Sequence, residues 1–235
     1  MASWTSEPPA VAGTWIAYRH TAIGVPPLWY GAGSTTLRQE SGRWHRVGES
    51  LAQYLALSSD GAWAERVRYE SIRTDARRLR DRRCLWQLRV QEERIADLSS
   101  FDAYAACGLD PEIAVGDHAA SQRLSSALRA AGYRGVLSPS AALDRDGAVN
   151  LTLFGERIEH RIFGGPLPDA PVVPRGLWLP TILLTDSGAP TTFALESTCY
   201  RSGAHRTLAA WRAARPPGAA RSPRPRRPRS PLTGP

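Results

Sequence analysis

A chain of 235 residues with 42% hydrophobic content is long enough to fold one packed domain and carry further segments beside it. Its formal charge of +8 is unevenly placed: there is no lysine, and residues 212–235 hold seven of the 30 arginines and no acid, which leaves the rest close to neutral. This excludes a basic body that steers toward nucleic acid or membrane, and it makes any single arginine weak evidence of function.

The first residues, Met-Ala-Ser-Trp-Thr-Ser-Glu, place no basic segment ahead of an apolar run, and no window holds the ~20 apolar residues of a membrane span. A cytoplasmic protein without a membrane partner is expected. Cys84, Cys107 and Cys199 are odd in number and never closer than 23 residues, so a local C-x-x-C knuckle is excluded and buried thiols are expected. His20, His118, His160 and His205 show no metal-ligand spacing with one another or with cysteine.

After an N-terminal extension over 1–13, residues 14–19 alternate as an opening strand and 23–34 read as a loop. The apolar run 53–57 predicts a strand; Ser58-Ser59-Asp60-Gly61 ends it in a turn and caps a helix starting near Asp60 or Gly61. On that helix Trp63 and Val67 share one face, and Glu65 and Tyr69 point elsewhere. Two further strands are predicted over 85–90 and 94–98. The clearest helix spans 119–131, with Leu124, Leu128 and Ala131 on one face, Asp117 or Ser121 as cap and Gly132 as stop.

Strands are predicted at 133–138 and 150–154, around a loop containing Asp146-Gly147. Strands and helices alternate without a regular β-α-β repeat, so the expected class is α+β. The main domain is read as 14–165. A proline-rich extension follows over 166–211, with short strands at 181–185 and 191–195 and a helix at 205–214. Residues 212–235 form a tail, and its stretch 216–235, with seven prolines and five arginines, is expected to be disordered.

Within the domain, Gly42-Arg43-Trp44, Gln53-Tyr54-Leu55-Ala56 and Ala62-Trp63-Ala64-Glu65 set a cation, a phenol and a carboxylate at intervals of 11 and 11 residues. A strand and the helix after it can aim all three into one cleft. Such a cleft suits a substrate with phosphates, a flat ring and a bond that breaks with developing positive charge. A guanidinium offers phosphate a planar fork of donors, and a carboxylate stabilises an oxocarbenium-like sugar. A tyrosine supplies a flat face and a hydroxyl together.

These segments, with Tyr18-Arg19, Gly48, Leu137-Ser138-Pro139-Ser140-Ala141 and Asn150-Leu151-Thr152-Leu153-Phe154, resemble the RES family, named for Arg, Glu and Ser positions, across roughly residues 14–163. The resemblance implies an ADP-ribosyltransferase-like fold of two small packed sheets with flanking helices around a cleft for NAD. It implies cleavage of the nicotinamide–ribose bond by a glycohydrolase or phosphorylase, in a bacterial toxin restrained by a helix-turn-helix antitoxin. NAD is then substrate, not cofactor, with inorganic phosphate as a co-substrate in the phosphorylase case, and no metal is implied.

Carried onto this chain, the resemblance makes Glu65, Tyr54 and Arg43 catalytic, and Arg19, Arg43, Tyr54, Ser140 and Asn150 substrate-binding. Glu65 is preferred to Glu70 by its Ala-Trp-Ala setting, and Ser140 to Ser138 by the Pro-Ser match. His45 departs from the asparagine common after the Arg-Trp pair; it either binds phosphate or marks a subgroup. Two alternatives stay open: ADP-ribosylation of a macromolecule, and a binding protein whose basic tail makes weak, salt-sensitive nucleic-acid contact.

Overall fold

The computed structural model describes residues 4–22, 27–28, 39–48, 51–69, 75, 83–155, 181–185 and 205–215. Strand β1 (Ala10–Ala22) opens the fold four residues before the expected 14. Strand β2 (Ala52–Ala56) and helix α1 (Ser59–Val67) follow as the sequence predicts, with Ser58 as the N-cap. Strand β3 (Arg83–Asp97) replaces the two expected strands at 85–90 and 94–98.

The two fuse because a bulge bends the strand without ending it. Val11 faces Ile95 and Gly13 faces Glu92, so two residues of β3 oppose Ala12 alone, and Arg94 takes a left-handed φ of 53°. The Arg94 side chain then donates to the carbonyls of Ala131 and Gly132, tying the bulge to the end of a helix.

Helix α2 (Phe101–Ala106) and a 3-10 turn (Pro111–Ala114) come next, capped by Ser100 and Asp110. Helix α3 (His118–Ala130) is the one the periodicity predicts, and Asp117 supplies its cap. Strands β4 (Gly135–Pro139), β5 (Val149–Phe154) and β6 (Thr181–Thr185) and helix α4 (Arg206–Ala213) complete the described elements. The expected strand at 191–195, most of the loop at 23–34, Glu70, His160, Cys199 and residues 216–235 lie outside the described residues.

Strand order is β1-β2-β5-β4-β3-β6, and β1 also pairs with β3 along most of its length. The strands therefore form two groups, β1-β3-β6 and β2-β5-β4. One junction is the single register position Tyr18–Ala56, and the other is a short parallel run between Ile95–Asp97 and Gly135–Leu137. This is an α+β fold built on one mixed six-stranded sheet, whose two strand groups meet at these two junctions.

One apolar cluster fills the space between strands and the helices α2, α3 and α4, around Trp44, Tyr104, Leu124, Leu128 and Leu208. A second joins Trp86, Leu88, Ile95, Leu137, Leu151 and Leu153. Each fully buried leucine contributes about 1.5–3 kcal/mol of transfer free energy. Among the described residues, no helix is long and apolar enough to cross a membrane.

Candidate active site

A cleft of about 470 Å³ opens where the two strand groups meet, a volume ordinary for a small-molecule site. Its floor follows from sheet register. Tyr18 pairs with Ala56, Ala56 with Asn150, and Asn150 with Ser138, so four lining residues from four strands stand in one row. Tyr54 and Thr152 pair in the row two residues on, and period-two alternation turns both toward the same face.

Helix α1 lies directly over this row. A Cβ at Gly61 would come within 2.9 Å of the Ala56 Cβ, so only glycine lets the helix approach β2 this closely. One turn later Glu65 reaches the cleft. Asn150 Nδ2 donates to its Oε1 at 2.8 Å, and Arg68 Nη1 donates to its Oε2 at 3.2 Å. Both carboxylate oxygens are thereby fixed, and a third of the side chain stays exposed to the cleft. Asn150 Oδ1 and Thr152 Oγ1 are buried, and neither has a hydrogen-bond partner among the described residues.

Glu40 to Trp44 form the facing wall. Gly42 and His45 close a tight turn by exchanging backbone hydrogen bonds, and Gln122 and Ser125 of α3 bind its carbonyls. Tyr54 is seated in this turn: its hydroxyl accepts from Trp44 N–H at 2.9 Å and lies 2.9 Å from His45 Nδ1. A Cβ on Gly42 would stand 2.5 Å from that hydroxyl oxygen, which is why glycine precedes Arg43. Burial pushes the Tyr54 phenol well above its ordinary pKa, outweighing Trp44 N–H and the nearby arginines.

Arg43 lines the cleft, but its guanidinium donates inward, to the carbonyls of Gly116 and Val115 and to Ser121 Oγ. Burial and Arg68 lower its pKa, with Glu65 acting in the opposite direction. It thus anchors the start of α3 and lends the cleft charge. Arg19 also lines the cleft, together with Tyr18 and His20 on either side of it. Three consecutive residues can do so because β1 meets β2 at one register position, leaving the edge of β1 open.

His20 stacks on Trp63 with ring centroids 5.7 Å apart, and its pKa is pushed down to about 3 by burial and by Arg83, Arg66 and Arg19. It is a neutral ring in a cationic wall. Ser140, expected at the site, does not line the cleft, and Ser138 does. Strand β4 ends at Pro139, so Ser140 leaves the alternating register; its hydroxyl accepts from Ala142 N–H and Leu143 N–H in the turn that follows. Its carbonyl oxygen accepts from His205 Nε2 of α4's cap.

Arg68, Thr152 and His20 line the cleft but were not among the expected site residues. Arg68 sits three residues after Glu65, the spacing of one helix face, but that signal is hidden among 30 arginines.

The RES domain profile matches residues 16–169 of the chain. Among solved structures, the chain is similar to the M. tuberculosis MbcT–MbcA toxin–antitoxin complex, at 21% identity, 83% coverage of this chain, 92% of that chain and a TM-score of 0.56. No curated protein matches it in sequence. The profile match spans well over half the length and contains Arg19, Arg43, Tyr54, Glu65 and Asn150, all of which line the cleft, and on that ground the chain belongs to the RES domain family.

Proposed function

We propose that this protein cleaves the bond between nicotinamide and ribose in NAD. The observation that carries the proposal is Glu65, held at both oxygens by Asn150 and Arg68 with a third of its side chain open to the cleft. A carboxylate so placed can accept from the vicinal hydroxyls of a ribose bound in the cleft. As the C1–N bond breaks, its electron pair leaves with neutral nicotinamide and positive charge spreads over the ribose. A fixed carboxylate at that face stabilises the charge as it develops.

Arg19 and Arg68 suit the pyrophosphate, with Arg43 adding charge from behind. Tyr54 suits the nicotinamide ring. Ser138, in the same cross-strand row as Asn150, takes the place of Ser140 in this reading. Water adding to the ribose and releasing a proton yields ADP-ribose; phosphate in its place yields the 1''-phosphate. The likeness to a toxin–antitoxin complex supports a toxin role, with an antitoxin as partner.

Incubating the purified protein with NAD, with and without inorganic phosphate, and following free nicotinamide by proton NMR tests this directly. Release of nicotinamide is expected, with the ribose product identifying the acceptor. Intact NAD under both conditions contradicts the proposal.

A further inference from the structure

His45 is 2% exposed and stands behind the cleft wall, outside the lining. Its position is imposed by the tight turn. Gly42 N–H donates to its carbonyl at 3.1 Å, Gln122 holds the Gly42 carbonyl at 2.9 Å, and Ser125 holds that of Trp44 at 2.6 Å. So fastened, the imidazole presents Nδ1 to the Tyr54 hydroxyl at 2.9 Å, with the two rings tilted by 51°.

A neutral phenol has one proton and two lone pairs. Burial keeps Tyr54 neutral, so the proton is present to be given. Trp44 N–H occupies one lone pair, and Gly42 closes the hydroxyl on another side, where even a methyl group would collide. Among the described residues, the short contact left is His45 Nδ1.

We propose that His45 is the positioning residue of this site: its Nδ1 accepts the only proton of Tyr54, so that Tyr54 is locked in place and meets substrate with its ring face instead of its hydroxyl. The ligand class that fits is a flat heteroaromatic ring, and naming nicotinamide as that ring rests on the function proposed above. The corollary is a neutral His45 carrying its proton on Nε2. His45 therefore acts through Tyr54 and touches no phosphate.

Two measurements on the full chain separate the possibilities. In the 15N-labelled protein, long-range proton–nitrogen correlation is expected to show His45 as the Nε2–H tautomer with an accepting Nδ1, and Tyr54→Phe is expected to shift that Nδ1 resonance. A His45 protonated at Nδ1, or a resonance indifferent to Tyr54→Phe, overturns the proposal whether or not NAD is cleaved. In kinetics with NAD, His45→Leu is expected to raise KM about tenfold with a smaller change in kcat, on the scale of one buried hydrogen bond.

His45→Asn, whose carboxamide oxygen can accept the phenol proton, is expected to recover most of that loss. In a Tyr54→Phe background, His45→Leu should add nothing further. Additive losses, or His45→Asn as impaired as His45→Leu, place His45 outside this role. Absence of all NAD cleavage refutes the proposed function, and the NMR tautomer then decides the role of His45 alone.

Discussion

At the scale of single residues, the site depends on close approaches as much as on charged groups. Gly42 has no special backbone angle; what demands glycine is the Tyr54 hydroxyl packed against its Cα. Gly42→Ala should cost about 1–3 kcal/mol by overpacking and should lower nicotinamide release at least tenfold by displacing the ring. Thermal melts and initial rates measured together check this, and a Gly42→Ala protein with wild-type activity would refute the seating of Tyr54. Residue spacing made Tyr54 and Glu65 legible because a strand followed by a capped helix fixes where such side chains point, whereas Arg43 lies on a turn and directs its guanidinium to the start of α3. It misplaced Ser140, because whether β4 runs past Pro139 depends on its pairing with Val149, a contact between strands that no local pattern encodes.

At the scale of elements, local signals located those with strong periodicity or clear caps, such as α3 and α1. Helix α2 has six residues, too few to display an apolar period, and it owes its existence to Phe101 and Tyr104 entering the core. Fusion of two expected strands into β3 has the same origin, since the bulge at Arg94 is held by its pairing with β1 and its bonds to the end of α3.

Helix α4 lies past the profile match, yet it is docked firmly. The carboxylate of Asp144, whose side chain is 3% exposed, accepts from the backbone N–H of Arg206 at 2.7 Å and of Thr207 at 2.9 Å. Burial alone would raise the Asp144 pKa, but these two N–H groups, His205 and the Arg206 side chain together hold it below its ordinary 3.8. Because the unfolded chain takes up the proton first, the stabilisation is intact above about pH 4 and is lost as pH falls below it. Asp144→Asn is expected to lower the melting temperature at pH 6, and the difference from wild type should shrink toward pH 3. An equal difference at both pH values would show that this charge does not hold the helix.

At the scale of the whole molecule, the excess positive charge divides into two populations. Arg212 of α4 pairs with Glu112 at 2.9 Å and Arg215, just past its C-cap, with Asp102, so both are tied to the domain surface. The useful truncation therefore starts at 216, not at 212. Deleting 216–235 removes five arginines and is expected to leave nicotinamide release and melting temperature unchanged, while abolishing any weak binding to nucleic acid in low salt. A loss of NAD cleavage on this deletion would give the segment a part in the site. Fold class and family were legible because six short motifs follow one another in order; closure of β1 onto β3 was not, because it joins residues 61 to 86 positions apart.

The claim on which the others depend is that Glu65 stabilises charge on a ribose. It is tested most directly by comparing the initial rate of nicotinamide release from NAD by wild type and by Glu65→Gln, with circular dichroism confirming that both are folded. Glu65→Gln preserves shape and hydrogen bonding to Asn150 but removes the negative charge, so release should fall by about 10²–10³-fold while the wild type turns over. Equal rates from the two proteins, or no release from the wild type, would contradict it.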